Sequence, residues 1–250
     1  MSKAVRGAVR RVKRKPRLWL AGLLLGRRYQ VIRARPGIIE FLRSRRIDLV
    51  IDVGANEGQF AAMLRAGGYD GEILSLEPVA AVFERLAARA ADDPRWQVRQ
   101  CGAGARAGSA RIGVAASSVF SSINPTTAAA DAFEAKSRAV RHETIQIVAL
   151  DELCAGMDGN IFVKIDTQGY EAQVVAGAGA LLGRARGVQL ELPCIHLYEG
   201  GWSIAEAMAA MQALGFALCQ AEPVNFSKVD PVALVELDCL FGRADQSSSA

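Results

Sequence analysis

The chain has 250 residues, 51% of them hydrophobic, which suits one large domain with an attached arm and excludes a wholly disordered protein. Its five cysteines, Cys101, Cys154, Cys194, Cys219 and Cys239, make no CxxC pair and stand beside only two histidines; neither a metal site nor a disulfide framework is expected, and the thiols read as reduced and mostly buried. The net charge of +4 is divided unevenly: residues 1–46 hold 15 Lys or Arg against one acid, Glu40, leaving 15 basic and 25 acidic groups, so the body is acidic and does not suit gripping nucleic acid over its surface.

The arm, residues 1–46, sets the nine-residue run Leu18–Gly26 between basic clusters. That is too short to cross a bilayer, which takes about 20 residues of helix. Arg27 and Arg28 follow the run and no small-residue cleavage site is evident, which counts against a signal peptide. Trp19 and the surrounding leucines among arginines suit a helix lying on an anionic membrane surface, or equally a helix packed on its own domain or on a partner.

From residue 47 the pattern alternates: strand 48–52, helix 57–67, strand 72–77, helix 79–90 and strand 96–101. This is half of a doubly wound sheet. Residues 106–116 read as a hairpin or edge excursion, and the polar stretch 117–143 as an insertion or lid. The second half continues with a strand and short helix in "TIQIVALDELCAGM", the strand "NIFVKID", one helix in "GYEAQVVAGAGALLGRA", and the strand "GVQLEL". A helix "SIAEAMAAMQALG" then precedes two strands, "FALCQAE" and "ALVELDCLFGR". Two final strands without a helix between them predict an antiparallel pair, as in a Rossmann-like, mostly parallel seven-stranded α/β methyltransferase sheet over residues 47–243. Residues 244–250 read as a frayed tail.

The turn "DVGANEG" joins the first strand to the first helix, where open α/β sheets bind ligands. Gly54 and Gly58 allow close approach of backbone and ligand. The G-x-x-x-G spacing with Asn56 at its centre departs from the dinucleotide G-x-G-x-x-G, and Asp52 would repel a diphosphate. A carboxylate there suits S-adenosylmethionine, which carries a sulfonium and an ammonium and no phosphate. Glu77 ends the next strand 25 residues after Asp52, where an acid can accept both ribose hydroxyls; its plainer reading is a helix-start acid before Pro78. Cys101 and Gly102 follow the third strand, where they could border an adenine.

The segments "VIDVGANEGQF", "LEPV", "IVALDEL", "VKIDTQGYEAQVVAGA" and "LELPCIHLYEG", in this order, resemble the FkbM family of S-adenosylmethionine-dependent methyltransferases over about residues 46–242, with the arm outside the likeness. The resemblance implies the seven-stranded class I sheet and methylation of hydroxyls on sugars and natural products. It also implies that Asp52, Gly54, Asn56, Gly58 and Glu77 hold the methyl donor.

In "NIFVKID", alternation puts Phe162, Lys164 and Asp166 on one face and Ile161, Val163 and Ile165 on the other, so a lysine lies inside a central strand. Glu191 in the neighbouring strand is its expected ion-pair partner. Asp166, at the strand's carboxyl end, is the first candidate for base or hydroxyl orienter, against the plainer reading of an N-cap for the helix near Gly169. His196 is the second candidate base. Tyr198, Glu199 and Trp202 could line an acceptor pocket, and Ser121 and Ser122 could close over it. The expectation is a cytoplasmic O-methyltransferase acting on a sugar or glycolipid hydroxyl, peripheral to the membrane through its arm. The alternatives are an RNA 2'-O-methyltransferase and a membrane-docked binding protein of the same fold without turnover.

Overall fold

The structure, a computed structural model, describes residues 37–134 and 137–243. Most of the expected basic arm and the tail 244–250 therefore lie outside the described residues. The chain divides between Pro36 and Gly37. Residues counted with the arm by charge alone belong to the body: helix α1 (Ile38–Ser44) buries Phe41 and Leu42, and the Phe41 ring meets Phe162 edge-on, centroids 5.8 Å apart. Gly187 and Gly242 make room for that ring, since a Cβ on Gly187 would lie 2.5 Å from it.

The doubly wound core follows. Strand β1 (Leu49–Val53) leads to α2 (Gln59–Ala66), β2 (Glu72–Leu76), α3 (Ala80–Ala90) and β3 (Trp96–Arg99). After them come β4 (Gly102–Ala103), β5 (Gly108–Ala115), a 3-10 turn (Ser118–Phe120), α4 (Ala128–Phe133) and β6 (Ala139–Val148). The second half runs α5 (Leu150–Leu153), β7 (Ile161–Ile165), α6 (Glu171–Ala176), α7 (Gly179–Arg184), β8 (Gly187–Pro193), α8 (Ile204–Ala213), β9 (Phe216–Phe226) and β10 (Leu234–Arg243).

The main sheet has seven strands in the order β3-β2-β1-β7-β8-β10-β9; β1, β2, β3, β7 and β8 pair in parallel and β10 antiparallel to β8 and β9. This is the class I methyltransferase-like Rossmann fold anticipated from the two terminal strands. β1 and β7 are buried on both faces, which is why they read as unbroken apolar runs. Leu49, Ile51, Ile161, Val163, Val188 and Leu190 pack with α6, α7 and α8 on one side, while Val50, Ile73 and Phe162 pack with α1, α2 and α3 on the other.

Two expectations change. The stretch 102–148 forms a second, three-stranded sheet, β4-β6-β5, carrying the 3-10 turn and α4 between its long strands. The helix expected over 169–185 is broken at Gly177, because the loop after β4 crosses there; a Cβ on Gly177 would stand 2.0 Å from the Gly104 carbonyl oxygen. The second piece restarts on Asp151, whose carboxylate accepts the Ala180 and Leu181 amides at 3.0 and 2.8 Å. Among the described residues no helix is long and apolar enough to cross a membrane.

Phe41→Ala is expected to cost about 3–5 kcal/mol of stability in urea unfolding, the usual loss for a buried ring. A cost under about 1 kcal/mol would mean that α1 is appended to the domain and not part of its core.

Candidate active site

The carboxyl ends of β1, β2, β7 and β8 open into a hollow of about 470 Å³, walled further by the 3-10 turn and by Val224, Asn225 and Glu236 of the last two strands. Its size is that of a pocket for a ligand of several hundred daltons. The turn after β1 runs through three left-handed residues, Gly54 (φ 78°), Asn56 (φ 48°) and Gly58 (φ 79°). Gly54 has no room for a side chain: a Cβ would lie 1.8 Å from the Asp166 carbonyl oxygen, so its absence lets the ends of β1 and β7 close together. Gly58 fits against Trp96 and Leu86 and does not line the hollow, so its requirement is helix-to-sheet packing. Asn56 holds its strained conformation with its own side chain, Oδ1 accepting the Glu57 amide at 2.8 Å and the Ser118 hydroxyl at 3.2 Å.

Glu77, just past β2, accepts the Asn56 amide on Oε2 at 3.0 Å and the Val79 amide on Oε1 at 2.8 Å. It thus ties the first turn to the start of α3, as the helix-start reading required, and it also lines the hollow. Burial pushes its carboxyl up to about 7, against the opposing pull of the two amides.

A polar row crosses the otherwise apolar sheet. Trp96 Nε1 donates to Ser75 Oγ at 3.0 Å, and Ser75 Oγ donates to Asp52 Oδ2 at 3.4 Å. Asp52 Oδ1 lies 3.7 Å from Lys164 Nζ and, among the described residues, accepts no hydrogen bond. Lys164 donates to Asp166 Oδ2 at 3.0 Å and sits over the Phe60 ring, 5.4 Å from its centroid. Burial pulls the Lys164 ammonium toward losing its proton, but Asp166 and Asp52 outweigh it and hold the lysine above its ordinary range. The ion-pair partners of Lys164 are therefore these two aspartates and not Glu191, which acts on it only at longer range.

Asp166 is no helix cap. Helix α6 starts instead on Glu171, whose own Oε1 accepts the Thr167 and Gly169 amides, leaving both Asp166 oxygens to side chains. Gln168 Nε2 donates to Asp166 Oδ1 at 2.9 Å and to Glu191 Oε2 at 2.6 Å, while its Oε1 accepts the Tyr198 hydroxyl at 2.8 Å. Burial raises the Asp166 carboxyl, yet Lys164 and the neighbouring donors bring it below the usual carboxylate range. Glu191 goes the other way, raised well above its ordinary value by burial and by the Asp166 charge.

Of the residues singled out in the sequence, Gly54, Asn56, Glu77, Gly102, Ser121, Lys164, Asp166 and Glu191 line one hollow. Asp52 does not; it is fully buried behind Lys164, so any effect of its charge on a ligand passes through that lysine. Gly58, Cys101 and Ser122 stand behind the lining, and Trp202 packs on the core. Tyr198 reaches the site through Gln168, and the exposed His196 borders a small recess that adjoins the hollow at Gln168, Glu191 and Glu236, its carbonyl accepting Thr127 Oγ1. The sequence reading missed Gln168 and Asn124. Gln168 had no polar spacing to mark it, although a non-glycine residue at φ 54° before Gly169 is a position held by its surroundings.

Four carboxylates line the hollow, Glu77, Asp166, Glu191 and Glu236, against one cation, Lys164, which is already engaged. A ligand bearing positive charge and hydroxyl donors suits that set, and a phosphate does not. S-adenosylmethionine meets both conditions.

A sequence profile of the methyltransferase FkbM domain matches residues 52–218. Among curated proteins none matches the chain. Similar solved structures include the methyltransferase FkbM of Methylobacillus flagellatus KT, 15% identical with a TM-score of 0.45, over 78% of this chain and 43% of that one. They also include TehB of Haemophilus influenzae, 7% identical with a TM-score of 0.46 over 84% and 63%. A third is a 1,6-didemethyltoxoflavin-N1-methyltransferase of Burkholderia thailandensis, 12% identical with a TM-score of 0.42 over 83% and 76%. The chain spans less than half the length of the Methylobacillus protein.

Glu77 binds its proton more tightly folded than unfolded, so folding stability falls as pH rises from its unfolded value near 4.5 through about 7. Glu77→Gln is expected to remove about 3 kcal/mol of that fall. Urea unfolding at pH 5 and pH 8 checks it; an unchanged difference between the two pH values would place the titration elsewhere.

Proposed function

We propose a hydroxyl-methylating function on the premise that this chain belongs to the FkbM methyltransferase family and is an S-adenosylmethionine-dependent methyltransferase. The acceptor is a hydroxyl of a sugar, carried on a glycolipid. The observation that carries this reading is a hollow with Glu77 on one wall and the Lys164–Asp166–Gln168–Glu191 network on the other.

The methyl donor supplies an activated methyl group on a sulfonium. Glu77 is placed to accept ribose hydroxyls, and the backbone around Gly54 and Asn56 borders the donor with Gly102 and Ala103. Asp166, fixed by Lys164 and Gln168, orients the acceptor hydroxyl. Ser121, Asn225 and Glu236 offer further polar partners for a polyhydroxylated acceptor. Orientation is the larger part of the catalysis, worth about 7–11 kcal/mol, and removal of the hydroxyl proton adds about 10²- to 10⁴-fold.

The lipid part of the reading rests on the β9–β10 hairpin. From Val224 and Asn225 at the hollow it runs out to Phe226, Val229 and Val232, of which Val229 is 86% and Val232 83% exposed. Apolar side chains held in solvent beside the acceptor wall suit insertion at a membrane interface. The basic arm, whose residues up to Pro36 lie outside the described ones, adds attraction to anionic lipid by its composition. An RNA acceptor fits less well, since its phosphates would meet four carboxylates and one engaged cation.

Glu77→Ala is expected to weaken S-adenosylmethionine binding in calorimetry by at least tenfold, and Asp166→Asn to lower turnover by about 10²- to 10⁴-fold with a smaller change in donor affinity. The acceptor is found by transfer of radiolabelled methyl to extracted lipids, polysaccharides and RNA; label in RNA alone would overturn the sugar reading. The double variant Val229→Asp, Val232→Asp should reduce flotation with anionic liposomes while leaving donor binding unchanged. Undiminished flotation would remove the hairpin from the membrane contact.

A further inference from the structure

Gln168 is held more tightly than a loop residue needs to be. Its left-handed backbone is fixed from three directions: Ser122 Oγ donates to its carbonyl at 2.6 Å, and Asn124 Nδ2 donates to the next carbonyl, that of Gly169, at 2.7 Å. From the third side Tyr198 packs so closely that a Cβ on Gly169 would lie 2.6 Å from it. The Tyr198 hydroxyl also donates to Gln168 Oε1, which forces both amide hydrogens toward the carboxylates of Asp166 and Glu191. Turning the amide over would set its oxygen against two carboxylates. The result is a pair of acids joined by one amide and treated unequally by their surroundings.

Asp166 has Lys164 at 3.0 Å and stays ionised. Glu191 has no cation at contact distance among the described residues. It is faced by Lys164 from β7 and Asp166 just past it, by Glu236 and Asp238 from β10 and by the Tyr198 hydroxyl, with Glu171 of α6 lining the same small recess, a surrounding in which carboxylates outnumber ammonium. These surroundings therefore favour the neutral form of Glu191, beside an Asp166 that Lys164 holds toward its ionised form. Both acids line the hollow. A cation bound there would oppose the balance that favours the neutral form of Glu191.

We propose that Asp166 and Glu191 hold one proton between them across Gln168, that Glu191 releases it when a sulfonium-bearing methyl donor occupies the hollow, and that Glu191 so ionised takes the acceptor's hydroxyl proton. In the transfer, the acceptor oxygen bonds to the methyl carbon while the carbon–sulfur bond breaks with its electron pair left on sulfur. The O–H bond breaks and its proton passes to Glu191, restoring the one-proton pair. Gln168 is a positioning residue here, and Glu191 the group that touches the acceptor. The device makes the base available only when the donor is present, and it rests on the donor site proposed above.

Calorimetry with S-adenosylmethionine and with S-adenosylhomocysteine, each in buffers of different ionisation enthalpy at pH 7, reads the protons released on binding. Both ligands carry the ribose that faces Glu77; only the first carries the sulfonium. The unmodified protein is expected to release up to about one proton more with the sulfonium ligand. Glu191→Gln should abolish the difference and Gln168→Leu should diminish it. Binding of S-adenosylhomocysteine by Glu191→Gln and Gln168→Leu shows that these variants are folded. Equal release for the two ligands, or a difference that persists in Glu191→Gln, overturns this inference and leaves the donor site standing. No binding of either ligand to the unmodified protein overturns both.

Discussion

The ammonium of Lys164 is the constraint on which the site depends. It stands on β7 in the middle of a seven-stranded sheet, between the parallel strands β1 and β8, beside Asp52 on one and Gln189 on the other and among side chains that are otherwise mostly apolar. Breaking such a buried pair by removing one partner costs about 3–5 kcal/mol, whereas an apolar replacement of the whole group is often neutral or better. Stability alone therefore gives no reason to keep a lysine there. Its position gives one: it draws Asp166 into the ionised state at the floor of the hollow and leaves Glu191, one strand further, without a cation of its own among the described residues. Asp52, on the far side, balances the lysine's charge without entering the hollow.

This arrangement revises what an acidic residue at the end of β1 does. Sequence placed Asp52 against a cationic donor; geometry places it against a cationic side chain, one layer back. The substitution of one cation for the other was invisible in one dimension, because β1 and β7 are separated by more than a hundred residues and only their register, Asp52 beside Lys164, brings the charges together. What was legible followed from local periodicity. The alternation of "NIFVKID" put Phe162, Lys164 and Asp166 on one face, and the unbroken apolar runs marked the central strands. The two terminal strands without a helix between them specified the antiparallel end of the sheet. The break at Gly177, the pairing of Lys164 with Asp52 and the bonds of Gln168 to Glu191 and Tyr198 come from segments distant in sequence, and no periodicity encodes them.

The polar stretch after β5, expected as an insertion or lid, is joined to the floor of the hollow. Ser122 and Asn124 hold the Gln168–Gly169 backbone, Ser118 holds Asn56, and Ser121 lines the hollow between them. One segment thus supports the turn after β1 and the turn after β7 together, the two places where the backbone is left-handed at a residue with a side chain in this site. Strain at Asn56 and Gln168 persists because both are fixed by hydrogen bonds from a third element. A change in that segment would reach both turns without touching either strand.

Charge then narrows what the hollow can take. A carboxylate-lined recess with one engaged lysine repels phosphate, sulfate and uronate groups whatever their shape. It tolerates neutral polyols, whose hydroxyls donate to carboxylates, and it favours cations. The basic residues that could attract an anionic surface lie instead at the start of the chain, in sequence well before the first strand. In the proposed reading, attraction to an anionic membrane and rejection of anionic acceptors at the hollow fall to different parts of the sequence, and an enzyme working on a neutral sugar at a charged lipid surface would need both.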